Sequence, residues 1–149
     1  MEKFTGVFPV HAVTIEINTA GDVSGEAGTW VTIADLESGT FSIETGVEKW
    51  NSLTEGGWQR ALATAKAISL GLKGKRCIGD PGNDYIANKA FANGRDCDSR
   101  LRITFPDSAK FEVGVVVSVT ELLGDSTSVS SLGFDLASNG KPTYTPATA

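Results

Sequence analysis

The run "KFEVGVVVSVTELL", Lys110 to Leu123, most narrows what this chain can fold into. Phe111, Val113, Val115, Val117 and Val119 recur at every second position, the repeat of a β-strand whose side chains alternate between two faces. Val116 joins Gly114 and Ser118 on the other face, so "VGVVV" is apolar on both sides, as in a strand deep in its sheet or facing a second partner. Such a strand needs neighbours, and the same period supplies them. Val13, Ile15 and Ile17 alternate within Ala12 to Asn18, and the pattern returns over Thr29 to Ala34 and over Thr40 to Glu44. Ile68, Leu70 and Leu72 share a face after Lys66; Leu101, Ile103 and Phe105 precede the long strand; Leu132, Phe134 and Leu136 close the set.

Between these runs lie turn-forming strings. "TAGDVSGEAG" separates the first two strands, "FPDSAKF" makes a hairpin turn before Lys110, and "GDSTSVSS" is a polar loop. One segment has a helical rather than a two-residue repeat: Tyr85, Ile86, Lys89 and Ala90 stand at three- and four-residue spacing, with Gly94 where a helix-stopping glycine falls, which predicts a helix over Asn83 to Asn93. The expected fold is therefore mainly β, a β-sandwich or partly open barrel of six or seven strands with one flanking α-helix. At 149 residues, without an internal repeat, the chain reads as one domain spanning 1–149.

Two stretches stand outside that core. From Gly46 to Ala67, about twenty residues lack clean alternation but carry Trp50, Leu53, Trp58 and Leu62; a connection this long inside a compact domain is often functional. The tryptophans either plug the core or anchor a projecting loop at about 46–67, Trp being enriched at the centres of interfaces. The ending, about 139–149, reads as an extended tail kept out of helices by Pro142 and Pro146.

The chemistry-bearing residues form no catalytic pattern. "KGKRCIGDPGNDYIANKAFANGR" has glycines and lysines in abundance, but Gly74 and Lys75 are followed by Arg76 where a phosphate-binding loop needs Ser or Thr, and no G-x-G-x-x-G occurs. Asp80, Gly82 and Asp84 imitate the start of a calcium loop, yet Tyr85 and Phe91 occupy the positions that need glycine and glutamate. That segment reads as a strand exit and a helix cap. His11 is the single histidine, and with Cys77 and Cys97 it makes no zinc set without carboxylates; the cysteines read as thiols, a disulfide being the lesser alternative. No residue is assigned to catalysis, to a cofactor or to a metal. No apolar run nears the roughly 20 residues of a membrane helix, and the N-terminus lacks a basic segment before a long apolar core, so a soluble, unexported chain is expected.

Charge is unevenly placed. Residues 1–55 hold nine acids and two bases, 60–110 five acids and ten bases, 111–149 four acids and one base, for a net charge of −5. The bases are spread over strands and a helix rather than clustered as on a nucleic-acid face. Basic middle and acidic ends suit copies docking head to tail. Trp30, Trp50 and Trp58 leave open a different class, a monomeric carbohydrate-binding β-sandwich with an aromatic platform.

Taken in order, "SIETGVEKWNSLTEGGWQRALATAKAISLGLKGKR", "GDPGNDYIANKAFANGRDCDSRLRITFPDSAKFEVGVVVSVTEL" and "GDSTSVSSLGFDLASNGKPTYTP" make the chain resemble the tail tube, or major tail, proteins of long-tailed bacteriophages from about residue 40 to the end. The resemblance implies a structural virion protein that forms six-membered rings stacked into a hollow tube for the genome, assembled in the host bacterial cytoplasm and without a membrane partner. It implies an inner sheet joined to its neighbours' round the lumen, a helix outside, and a loop, here Gly46 to Ala67, that reaches adjacent subunits. Its implied partners are further copies of the chain, a tape measure protein and viral DNA within the lumen, a tail terminator, and baseplate or initiator proteins. Trp50, Leu53, Trp58 and Leu62 are then interface candidates. Glu44 and Asp135, acids on strand faces opposite the apolar ones, are lumen candidates, against the alternative of ordinary exposure.

Overall fold

The computed structural model describes residues 4–20 and 29–147. Its strands are β1 (Thr14–Asn18), β2 (Trp30–Thr32), β3 (Leu36–Asn51), β4 (Gln59–Lys75), β5 (Asp98–Thr104), β6 (Lys110–Leu123), β7 (Ser131–Ser138) and β8 (Thr143–Thr145), with the helix α1 (Pro81–Ala87) between β4 and β5. They form a single antiparallel sheet in the order β2-β1-β5-β6-β7-β4-β3, and β8 adds to β6 beside the end of β7. The "TAGDVSGEAG" turn expected between the first two strands lies almost wholly outside the described residues.

Alternation decides which face of this sheet is dry. Register places Leu70 against Phe41 and Leu136, Leu72 against Phe134, Val117 against Leu136, Val113 against Leu101, and Leu101 against Ile17, so one face is continuously apolar. Ile17, Leu101, Val113, Val115, Leu132 and Leu136 on it are fully buried. A single face this apolar cannot stay flat in water, and the sheet curls over it. Phe41 of β3 meets Phe111 of β6 edge to face at 5.2 Å although two strands lie between them in the sheet. The result is the expected mainly β architecture, a partly open barrel with a flanking helix. The long strand β6 is central as its pattern demanded, but only its Gly114 is dry on the second face; Val116 there is 36% exposed.

The helix starts two residues before the expected Asn83 and ends sooner. Asp80 is its N-cap and accepts from the Asn83 N–H at 2.9 Å, with Pro81 in the first turn where no intrahelical N–H is needed. After Ala87 the chain tightens into a 3-10 turn, Asn88–Phe91, and Ala92 is extended; Gly94 opens a further short turn, Gly94–Cys97, instead of stopping the helix. Buried Ile86 seats the helix in the core. Cys77 and Cys97 are free, so no disulfide closes this excursion.

Candidate subunit interface

The glycine- and lysine-rich stretch is occupied by its own structure. Asn83 is fully buried: its Oδ1 accepts from Arg76 NH1 at 2.9 Å and from the Cys77 N–H at 3.0 Å, while its Nδ2 donates to Ala34 O and Lys75 O. Arg76 NH1 also donates to Asp84 Oδ1 at 2.7 Å, and Asp80 Oδ2 accepts from the Ala34 N–H. The Arg76 hydrogen bond, followed by the Gly79 N–H, holds the Asp84 carboxyl below its usual range. A hydrogen bond with Asp35 raises the Cys77 thiol, leaving it less ionised than an ordinary cysteine. This polar knot ties the helix start to the β2–β3 turn, and its donors are spent on protein acceptors rather than offered to a phosphate.

The segment from Gly46 to Ala67, expected as a loop, is instead the distal half of a β-hairpin. β3 and β4 pair from Leu36 and Gly74 to Asn51 and Gln59, while β4 meets β7 only from Ser69 onward, so beyond that point the two strands pair with each other alone. Both their faces there are solvent-exposed, which is why apolar alternation fades from the sequence. At the tip, Gly56 and Gly57 take positive φ, and the turn is closed by Gly57 N–H to Ser52 O at 2.8 Å and Asn51 Nδ2 to Gly57 O at 2.8 Å. It is a hydrogen-bonded arm rather than a structureless connection.

All four interface candidates lie on this arm. Leu53 is 98% exposed and Trp58 78%, both at the tip; Trp50 and Leu62 stand on one face along the arm, Trp50 opposite Arg60, whose guanidinium lies 5.8 Å from the indole. None plugs the core. A bulge makes Trp50 and Leu62 neighbours: Gly46 pairs with Ala65 but Val47 with Ala63, so Thr64 is extra and the alternation of β4 shifts by one. Trp30 belongs to β2 at the opposite end of the strand order, with the Arg102 guanidinium 4.5 Å from its ring, so the three tryptophans form no shared platform.

The outer face of the sheet divides in two. Across β1, β5 and β6 it is a charge ladder in which Glu16 holds Arg102 through both oxygens at 3.0–3.1 Å and Glu112 lies between Arg102 and Arg100. Across β3, β4 and β7 it is made of small residues: Ser42 pairs with Ser69, Glu44 with Ala67, Gly71 with Asp135, and Ser69 with Ala137. Glu44 and Asp135, the expected lumen acids, are both exposed on this smooth strip. Lys73 and Glu121 close its far side with an ion pair at 3.1 Å; Lys73, with Ser131, keeps the Glu121 carboxyl below its usual range.

The sheet's curl also creates a surface that no run of the sequence marks. Where the base of the arm faces β6 and β8, Phe41, Ile43, Ile68, Phe111, Pro142 and Tyr144 line an open apolar groove of about 710 Å³, with Lys66 and Lys141 at its margin. The alternation of Phe41 and Ile43 marked them as a strand face, but they remain 41% and 57% exposed. The ending is likewise not simply an extended tail: Thr143–Thr145 returns to pair with Lys110–Glu112 and forms one wall of the groove.

Among the described residues no helix is long and apolar enough to cross a membrane, and no group of three or more His, Cys, Asp or Glu could hold a metal ion. What the molecule offers is surfaces: an exposed arm, a smooth acidic strip and an apolar groove on a curled antiparallel sheet. These define a mainly β protein with large exposed surfaces on a curled antiparallel sheet. Residues 11–144 match the phage tail tube protein family, and the chain belongs to it. It is a tail tube structural protein of the virion. Among solved structures it is similar to the tail of an empty gene transfer agent particle, refined helically with C6 symmetry, at a TM-score of 0.75 and 17% identity, over 94% of this chain and 100% of that one. A native gene transfer agent virion gives a TM-score of 0.73 at the same identity and coverage. No curated protein matches.

Proposed function

We propose that copies of this chain assemble into six-membered rings stacked as a hollow tube, through which the phage genome passes into the host. The arm carries this reading. β3 ends the strand order, so along its 16 residues one edge has no strand partner among the described residues, and the exposed apolar groups at 41–62 lie along the same hairpin. Open edges of this length are templates for pairing with another chain, and a closed ring satisfies every one of them. The C6 symmetry of the similar gene transfer agent tail supports a ring of six.

The smooth strip suits the lumen. A conduit for DNA must not hold phosphates, and on this surface of Ser, Ala and Gly with Glu44 and Asp135 the lysines, Lys73 and Lys75, are each paired with a glutamate, Glu121 and Glu37. Within that lumen lie the tape measure protein and then DNA. The tube begins on baseplate or initiator proteins, ends at a tail terminator, and is built in the host cytoplasm. Electron microscopy of the concentrated protein tests the assembly: tubes of stacked six-fold rings are expected, and a chain that stays monomeric and is absent from tail shafts overturns it. Replacing Trp50 and Trp58 with Ala is expected to abolish tubes and leave a folded monomer, because neither ring is part of the core. Circular dichroism and sedimentation read the two effects separately.

A further inference from the structure

We infer that the apolar groove at the base of the arm is the receptor for the hairpin tip of a second copy, so that the chain carries both halves of a head-to-tail contact. This rests on the tube reading above and names the contact within it. The groove exposes Phe41, Ile43 and Tyr144 at 41%, 57% and 61%, and its charged lining residues are two lysines, Lys66 and Lys141, with no acid. The tip has the complementary character. From Asn51 to Gln59 it presents Leu53 and Trp58, the first almost wholly bare, with Glu55 as its one charge. An apolar knob carrying one carboxylate meets an apolar slot whose charged lining residues are both lysines.

The occupant cannot be the chain's own tip. Phe41 lines the groove and Asn51 ends the same strand; at about 3.3 Å per residue they stand roughly 33 Å apart. The tip turn is closed by Gly57 N–H to Ser52 O and by Asn51 Nδ2 to Gly57 O, and β3–β4 pairing along the whole arm keeps tip and base apart. Knob and slot at opposite ends of one hairpin form a heterologous contact. Such a contact propagates from copy to copy and does not stop at a dimer.

The test uses two populations of the full chain, both carrying Cys77→Ser to remove the half-buried native thiol. One has Leu53→Cys at the tip and the other Ile43→Cys at the groove, positions exposed enough to spare the fold. They are mixed, assembled and oxidised. A disulfide joining one population to the other, in tubes seen by electron microscopy and absent when either population is oxidised alone, is the expected result. Tubes that form without the mixed disulfide overturn the inference and leave the tube reading standing. Failure of unsubstituted protein to form tubes overturns both. A charge exchange supplies an independent readout. Lys141→Glu is expected to raise the concentration needed for assembly roughly fivefold, the scale of one exposed ion pair, and Glu55→Lys in the same chain to restore it. If the double variant assembles no better than the single one, the pairing of tip and groove is wrong.

Discussion

Asn83 shows how a single side chain can hold a junction. Its amide satisfies four groups from two segments, Ala34 and the run 75–77, and its removal leaves Ala34 O, Lys75 O and the Cys77 N–H without that partner around a fully buried position. Asn83→Ala is expected to cost about 3 kcal/mol, on the scale of one to three unsatisfied buried groups, measured by urea unfolding. Asp84, in the same knot, gives a pH signature. Its folded-state pKa is depressed by Arg76, so its contribution is fully present above the unfolded value of about 4 and is lost as pH falls through the lower, folded value. Asp84→Asn is therefore expected to lower the urea midpoint at pH 7, with the gap from the unsubstituted protein closing towards pH 3. A gap that stays constant over that range removes Asp84 as its cause. The turn, cap and strand exit were legible in "KGKRCIGDPGND", whereas the helix start was misplaced by two residues. Asp80 and Pro81 form the usual pair of N-terminal signals, but the apolar spacing that marks the helix begins only at Tyr85.

At the scale of elements, legibility follows burial. Strands with one dry face, such as β1, β5, β6 and β7, print that face into the sequence as a two-residue period. The distal arm has no dry face to print, and Thr64 shifts the alternation of β4 midway, so a regular hairpin looked like a loop. The exposed candidates Trp50, Leu53, Trp58 and Leu62 were found by residue type rather than by pattern, and the groove was not found at all. Its walls come from β3, β6 and β8, which are brought together only when the sheet curls. The bulge itself is open to test. Deleting Thr64 keeps the pairs on either side, Gly46 with Ala65 and Val47 with Ala63, while removing the extra twist that a bulge imposes. Stability is expected to change by less than about 1 kcal/mol, as for other exposed sites. Tube formation is expected to fall sharply, because the tip is re-aimed. Equal loss of stability and assembly would mean that the arm is needed for folding and not for direction.

On the scale of the whole molecule, the two halves of the sheet's outer face answer different demands. The Glu16–Arg102–Glu112 ladder is charged but internally paired, and the strip across β3, β4 and β7 is mostly small residues, with Glu44 and Asp135 exposed and its lysines, Lys73 and Lys75, paired with Glu121 and Glu37. If that strip lines the tube, six-fold repetition multiplies every charge on it, and a substitution of one residue becomes a ring. Glu44→Lys with Asp135→Lys changes each subunit by four charges. Neither position takes part in an ion pair among the described residues, so folding and tube assembly are expected to survive. DNA moving past these rings would meet lysines that displace counterions from its phosphates and hold it, an attraction that weakens steeply with salt. Virions built from the double variant are therefore expected to eject their genome more slowly at low salt and to recover as salt is raised. Asp96→Lys, on the short turn after the helix, is the control for charge placed elsewhere. Slow, salt-sensitive ejection from the double variant and ordinary ejection from the control place the small-residue strip in the lumen. If both variants eject alike, Glu44 and Asp135 face outward and the curl of the sheet presents a different surface to the DNA.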